Sequence, residues 1–357
     1  MSCEWHDKIF SVSENNFREL ALEIFRFQYA SNPVYRTFID ALRIRPETID
    51  VLESIPFLPI SFFKTDEIKT GKFNAEAIFE SSGTTPGTNS HHHVKDISLY
   101  AESFARGFQN VYGQIGEWCI LGLLPSYLEK GNSSLVFMVE KLIEKTAHPQ
   151  SGFYLADFER LRDTLALLEK AKQKTLLIGV TYALLDFAEQ FPMQLYNTLV
   201  METGGMKGKR EELTRMEVHE RLKKAFGKNE IHSEYGMTEL LSQAYAVKEG
   251  KFSCPAWMRV MIRDEEDPLA VYSLQWAVSS GQSTVSSQQS AVSSQSGVQR
   301  SPLTSITGAI NIIDLANVYS CSFIATEDLG KVYPDNSFEV LGRMDGSDLR
   351  GCSLLTL

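Results

Sequence analysis

From about Phe57 onward, short apolar runs alternate with stretches of helical period, and no other feature constrains the fold of this chain as much. Thr175–Gly179 (TLLIG) reads as a buried strand, Tyr182–Gln190 as the helix that follows it, and Leu199–Thr203 as the next strand, closed by Gly204-Gly205. Strands this apolar need cover on both faces, which helices crossing between parallel strands supply. The expected class is α/β, with mostly parallel sheets flanked by helices. Ligands of such sheets gather beyond the carboxyl ends of the strands, where glycine-rich turns fall.

Upstream of that pattern, Phe17, Leu20, Ala21, Ile24 and Gln28 follow i, i+3, i+4, i+7 spacing. They predict an amphipathic helix from Ser13 to Ala30, capped by Ser13 and stopped by Asn32-Pro33. A second helical stretch runs from Tyr35 to Leu42 and ends before Pro46. Residues 1–56 are therefore expected as a helical segment packed on an α/β domain of residues 57–345. Between Ser279 and Gln299, fourteen of twenty-one residues are Ser or Gln, in imperfect heptads starting at Ala277, Thr284 and Ala291. Each heptad carries one valine, whereas a coiled-coil seam needs two apolar positions. Residues 277–301 are thus expected to be a disordered insertion, and 346–357 a short tail bearing Cys352.

A net charge of −10 over 357 residues argues against general nucleic-acid binding, which needs clustered Lys and Arg, but leaves room for a local nucleotide site. No secretory signal opens the chain, and no apolar run approaches the ~20 residues of a membrane span. Cys3, Cys119, Cys254, Cys321 and Cys352 are an odd, dispersed set without C-x-x-C spacing, which fits reduced thiols and a cytoplasmic setting.

Three loops carry the candidate chemistry. Ser81-Ser82-Gly83-Thr84-Thr85-Pro86-Gly87-Thr88 offers hydroxyl donors and a backbone able to approach an anion closely. It follows the strand-like Ala77–Glu80 and precedes Asp96, a cap for a helix with Tyr100, Phe104, Phe108 and Val111 at helical spacing. It is not a Walker loop, and Gly204 to Arg210 fails that pattern in spacing and final residue. Tyr235-Gly236-Met237-Thr238-Glu239 combines an aromatic ring, a glycine, a hydroxyl and a carboxylate, suited to a base, a phosphate and Mg2+. The same residues also fit a plain helix cap, with Thr238 before Leu240-Leu241. Thr326-Glu327-Asp328-Leu329-Gly330 and Leu341-Gly342-Arg343 hold a carboxylate able to bridge ribose hydroxyls and a guanidinium able to fork onto phosphate. They read equally as the two strands of a hairpin.

Taken in this order, S-S-G-T-T, Gly-Gly, Y-G-M-T-E, T-x-D-x-G and G-R-x-D resemble the adenylate-forming superfamily of acyl-CoA synthetases and adenylation domains, from Phe57 to the C-terminus. Phe57–Lys64 (FLPISFFK), Leu124–Glu129 with Asn132–Leu135, and the ending Leu349-Arg350-Gly351-Cys352 resemble, more closely, the acyl-protein synthetase (LuxE) family. The resemblance implies the large N-terminal domain of that superfamily, lacking most of the small mobile C-terminal domain beyond the hinge aspartate, Asp345. It implies an ATP-dependent, AMP-forming acid–thiol ligase that uses ATP and Mg2+ on a carboxylic, fatty acid. Ser81, Ser82, Gly83, Thr84, Thr85, Gly87 and Thr88 would hold phosphates, and Gly204, Gly205, Tyr235 and Gly236 would border the adenine. Thr238 and Glu239 would serve phosphate and Mg2+, Asp328 the ribose, and Arg343 ribose and phosphate.

The usual late lysine of the phosphate loop is replaced here by Asn89-Ser90-His91-His92-His93. A histidine near its reference pKa of ~6.5 substitutes poorly for that point charge. His92 and His93 are candidates to face the acyl-adenylate, and their alternation along a strand argues against a three-histidine metal site. Cys352 is the expected nucleophile that takes the acyl group as a thioester for an acyl reductase or acyl-carrier partner. Two alternatives stand beside this: an acyl- or aryl-CoA ligase like the phenylacetate-CoA ligases, and a non-catalytic nucleotide- or acyl-binding scaffold.

Overall fold

The continuous apolar runs become fully buried strands, and the chain around them builds one long sheet. The computed structural model describes residues 2–81, 89–125, 132–155, 157–204, 213–272 and 305–344. The strands are β1 (Leu58–Pro59), β2 (Ala77–Glu80), β3 (His91–Val94), β4 (Cys119–Leu123), β5 (Gly152–Phe153), β6 (Thr175–Val180), β7 (Thr198–Thr203) and β8 (His232–Tyr235). They continue with β9 (Ala244–Ala246), β10 (Phe252–Ser253), β11 (Met258–Arg263), β12 (Val271–Tyr272), β13 (Ile306–Asp314), β14 (Phe323–Val332) and β15 (Phe338–Arg343). Among the described residues, thirteen strands share one sheet in the order β12-β11-β13-β14-β15-β10-β9-β8-β7-β6-β4-β5, with β1 added beside β14. β2 and β3 form a separate hairpin.

The α/β class is as expected, but the parallel pairing is confined to β5-β4-β6-β7-β8. There the helices Ser134–Thr146, Phe158–Lys170, Thr181–Gln190 and Arg215–Phe226 return the chain between strands. After β8 only eight residues precede β9, too few for a crossover helix, so the chain turns back and pairs antiparallel. From β9 to β15 the partners in the main sheet are antiparallel, except that β1 joins β14 in parallel. β4 and β6 are buried at every residue, whereas β14 alternates buried and half-buried positions along most of its length. That is the difference between a strand covered on both faces and one with a wetter face.

Asp96 caps Ile97–Tyr112 as expected, its Oδ1 accepting from the Ser98 amide at 3.0 Å, and Tyr100, Phe104 and Phe108 are buried. Val111 is 38% exposed, and Tyr112 takes the inner position instead. Each such ring removed from water contributes about 2–3 kcal/mol before chain entropy is counted.

Two expectations at the N-terminus need correction. The helix expected from Ser13 runs Phe17–Ser31, because Asn16 Oδ1 accepts from both the Ser13 amide (2.7 Å) and hydroxyl (2.9 Å) and closes a turn there. An additional helix spans Ser2–Phe10. Gln28, on the inner face of Phe17–Ser31, donates to the carbonyls of Asn317 and Val318 (both 3.0 Å) and accepts from the Ser322 amide (3.0 Å). The motif Phe57–Lys64 supplies β1, whose Leu58 and Pro59 pair with Ile324 and Ala325, directly before Thr326-Glu327-Asp328. The Ser/Gln heptads lie outside the described residues.

Candidate active site

Gly204 and the Tyr235–Glu239 segment follow the carboxyl ends of adjacent parallel strands. Thr203 of β7 pairs with Glu234 of β8, which brings Gly204 beside Tyr235. Gly204 has φ +72°, a backbone state that suits glycine, and its carbonyl accepts from Thr181 Oγ1 at 2.8 Å. Gly205 lies outside the described residues.

Residues Gly236–Glu239 form a turn and not the first turn of a helix, so the helix-cap reading of Thr238 is corrected. Their backbone is committed elsewhere. The Thr238 carbonyl accepts from His92 Nδ1 (2.8 Å), the Glu239 carbonyl from Asn317 Nδ2 (2.7 Å), and the Leu241 amide donates to Asp314 Oδ2 (2.8 Å). Thr238 is half-buried and Glu239 only 1% exposed. Asp314, fully buried, also accepts from Ser242 Oγ at 2.6 Å, and burial pushes its carboxyl up to about 6.

Tyr235 ends β8 with its ring packed against Phe252 and Phe338 and 2% exposed. What it gives the site is its hydroxyl, which donates to Asp328 Oδ2 at 2.8 Å. Asp328 stands opposite Arg343 across the β14–β15 ladder, with Arg343 Nε 3.7 Å from Asp328 Oδ1. Arg343 Nη2 also donates to Glu327 Oε2 at 2.5 Å. The Tyr235–Asp328 hydrogen bond therefore links site residues on the two halves of the sheet.

The β2–β3 hairpin carries the phosphate-loop candidate. Ser81 closes its base: the Ser81 amide donates to the Ser90 carbonyl (3.0 Å), and the Ser90 amide to Ser81 Oγ (2.8 Å). Ser82, Gly83, Thr84, Thr85, Gly87 and Thr88 lie outside the described residues. His92 and His93 are buried on β3, and His93 Nε2 lies 3.7 Å from Glu67. Among the described residues no three His, Cys, Asp or Glu side chains are grouped to hold a metal ion. An ion at Glu239 would therefore take its remaining oxygens from a bound nucleotide, which matches the habit of Mg2+.

Several buried charges here had gone unnoticed in the sequence. Glu202 on β7 is opposed by burial, yet the His219 imidazole and the Arg215 guanidinium, each 3.6 Å away, hold it below its ordinary value. Glu234, beside Tyr235, accepts from Thr203 Oγ1, but burial pushes it up to about 7. Arg263, 6% exposed, donates to the Ile310 carbonyl (2.7 Å), Asn311 Oδ1 (2.8 Å) and the Thr326 carbonyl (2.5 Å), fixing the strand that carries Asp328. Burial brings Arg263 down to about 10. A charge inside an apolar run, as in LVMET or MRVMIR, is the signal that marks them.

Burial pushes the thiols of Cys119, Cys254 and Cys321 up, to about 11, 12 and 12. Asp345 and Cys352 lie outside the described residues, which end at Met344. That residue's amide donates to the carbonyl of Glu327, the neighbour of Asp328 in the chain, at 2.9 Å. No helix among the described residues is long and apolar enough to cross a membrane.

No curated protein matches this chain in sequence. Among solved structures, ATP-bound MatB from Rhodopseudomonas palustris is similar at 15% identity and TM-score 0.50, over 85% of this chain and 52% of that one. 2-Hydroxyisobutyryl-CoA ligase in complex with 2-HIB-AMP and CoA is similar at 13% identity and TM-score 0.62, over 95% of this chain and 70% of that one. The chain thus spans about half the length of MatB, and at these identities the likeness establishes an adenylate-forming fold. The profile of the acyl-protein synthetase, LuxE, family matches residues 7–356, nearly the whole chain. With that fold, and with the FLPISFFK strand seated against the strand that bears Asp328, the chain belongs to the acyl-protein synthetase (LuxE) family.

Proposed function

We propose that this protein activates a carboxylic acid with ATP and then carries the acyl group as a thioester on Cys352. In the first step a carboxylate oxygen attacks the α-phosphorus, and pyrophosphate leaves with the electron pair of the broken P–O bond. In the second, the thiolate attacks the acyl carbon and AMP leaves. The observation that carries this reading is the meeting of Tyr235 at the end of β8, Asp328 in the middle of β14 and Arg343 at the end of β15 in an adenylate-forming fold.

Asp328, oriented by the Tyr235 hydroxyl, is positioned to accept from two ribose hydroxyls. Arg343 faces it with donors for ribose and phosphate oxygens. The glycine at 204 and the Thr238 hydroxyl let the nucleotide approach the strand ends, and Ser81–Thr88 surround its phosphates. Mg2+ bound with ATP would supply charge neutralisation at the phosphates, and Glu239 is the carboxylate of this chain suited to it. The chain's contribution to the first step is positioning and electrostatics.

Cys352 is supported as the acceptor because Cys119 and Cys321 are buried and Cys254 half-buried, and all three thiols are hard to ionise, while a thiolate is the reactive form. The last described residue, Met344, is bonded to Glu327, the neighbour of Asp328 in the chain, and the eight residues 345–352 can span at most ~28 Å when extended. A fatty acid as substrate and an acyl reductase or acyl carrier as recipient fit this family. The CoA ligase named among the similar structures favours one competing acceptor, coenzyme A.

Protein incubated with Mg·ATP and labelled carboxylic acids of graded length should release pyrophosphate and retain label that neutral hydroxylamine removes. The Cys352→Ser protein should still exchange pyrophosphate into ATP and retain no such label. Label on another residue, or normal labelling of Cys352→Ser, rejects the thioester role. Turnover that requires coenzyme A establishes the ligase reading instead.

A further inference from the structure

His92 sits at the start of the strand that leaves the phosphate loop, opposite Phe79 in the β2–β3 hairpin and edge-on to Phe63. It has no exposed surface. Its Nδ1 lies 2.8 Å from the Thr238 carbonyl oxygen, which only accepts, so Nδ1 carries the proton and Nε2 the lone pair. Nε2 is buried without a hydrogen bond of ordinary geometry, although the Asn317 side chain also acts on the ring.

An orphaned lone pair in the interior is unfavourable, and a leucine or phenylalanine would fill this space without one. The ring is therefore poorly explained by packing alone. What the ring does accomplish is a connection. The Thr238–Glu239 turn is held from three sides, and the Asn317 and Asp314 anchors both come from the end of β13 and the turn after it. His92 alone of the three comes from the hairpin whose base is the Ser81–Ser90 pair.

We propose that His92 is a positioning residue: by donating Nδ1–H to the Thr238 carbonyl it sets the spacing between the β2–β3 hairpin and the Thr238–Glu239 turn. This rests on the reading that those two segments contact Mg·ATP. His92 then works through geometry.

Asparagine places an amide N–H where Nδ1 stands, and glutamine places it one bond further, near Nε2. In ATP–pyrophosphate exchange, His92→Asn should keep the KM for Mg·ATP within about threefold of wild type. His92→Gln and His92→Ala should raise it about tenfold, as loss of one buried hydrogen bond does, with the KM for the carboxylic acid unchanged. Nitrogen-15 NMR of the unmodified protein should show Nδ1 protonated and Nε2 bare. The proposal is overturned if asparagine serves no better than alanine, if the acid KM rises in place of the ATP KM, or if the proton is found on Nε2. If the wild type exchanges with no acid, the proposed function fails, and the tautomer together with Mg·ATP dissociation constants of the same variants still decides the role of His92.

Discussion

Gly204 and Tyr235–Glu239 follow the ends of β7 and β8, whereas Asp328 and Arg343 lie within β14 and β15, paired across the ladder. The two halves of the sheet thus position chemistry by different means. Beyond the parallel strands a turn has no fixed shape of its own, and side chains from distant elements hold it: Thr181 for Gly204, His92 and Asn317 for Thr238 and Glu239. On the antiparallel strands the register itself does the holding, since a slip of one residue would turn Asp328 to the other face. A ladder irregularity between Leu329 and Gly330 falls immediately after Asp328.

If register governs one half and side-chain anchors the other, equal substitutions should have unequal effects. A Cβ at Gly330 would meet the Glu339 carbonyl oxygen at 2.7 Å and Ile310 Cδ1 at 2.5 Å. A Cβ at Gly236 would meet the Glu234 carboxylate at 2.5 Å, the free end of a side chain. Backbone cannot step aside and a carboxylate can. Gly330→Ala should therefore cost about 3 kcal/mol in urea unfolding, and Gly236→Ala about 1 kcal/mol. Equal losses would break the comparison.

Glu234 offers the next test. Its folded value of about 7 lies above its ordinary value near 4.5, so the folded state binds the extra proton. Stability from this group is present below about 4.5, is lost as pH rises to about 7, and changes no further above that. Glu234→Gln should remove that loss, by up to about 3 kcal/mol, seen as a difference between wild-type and variant pH–stability curves. His92 shifts the opposite way, with a folded value of about 4, which is why the difference and not the raw curve is diagnostic. Parallel curves would place Glu234 outside the titrating set.

The smallest of these effects sharpens the antiparallel side. Asp328→Ala should weaken ATP binding about tenfold or somewhat more, the loss of hydrogen bonds to an ionised group at roughly 1.5–3 kcal/mol. Calorimetric affinity equal to wild type would remove Asp328 from the site.

Much of this arrangement was legible in the sequence where the signal is local. Thr175–Gly179 and Leu199–Thr203 are apolar runs closed by turn residues, and both are strands. Asp96 stands where a cap must stand. Pairing was not legible, because partner choice is non-local: nothing in Phe338–Arg343 announces that it lies against both β14 and β10. Thr238 looked like a cap because its neighbours have helical propensity, and His92, 146 residues earlier, removes the carbonyl from that role. Glu234 and Arg263 escaped notice because a single charge in a strand reads as a solvated face until its neighbours are known.

The seat of the N-terminal helix on the end of the chain has a consequence for biosynthesis. Gln28 is bonded to Asn317 across 289 residues, and Leu58 waits for Ile324. At roughly 5–20 residues per second, the ribosome needs ~15–60 s to deliver those partners after the helix emerges. Through that interval Phe25 can meet Tyr35 but not Phe323, its other ring partner, so part of the helix's apolar face stays uncovered. Its partners Asn317, Val318 and Ser322 directly precede β14, the strand of Asp328, so that part of the nucleotide site and the docking of helix Phe17–Ser31 are completed together, late in translation.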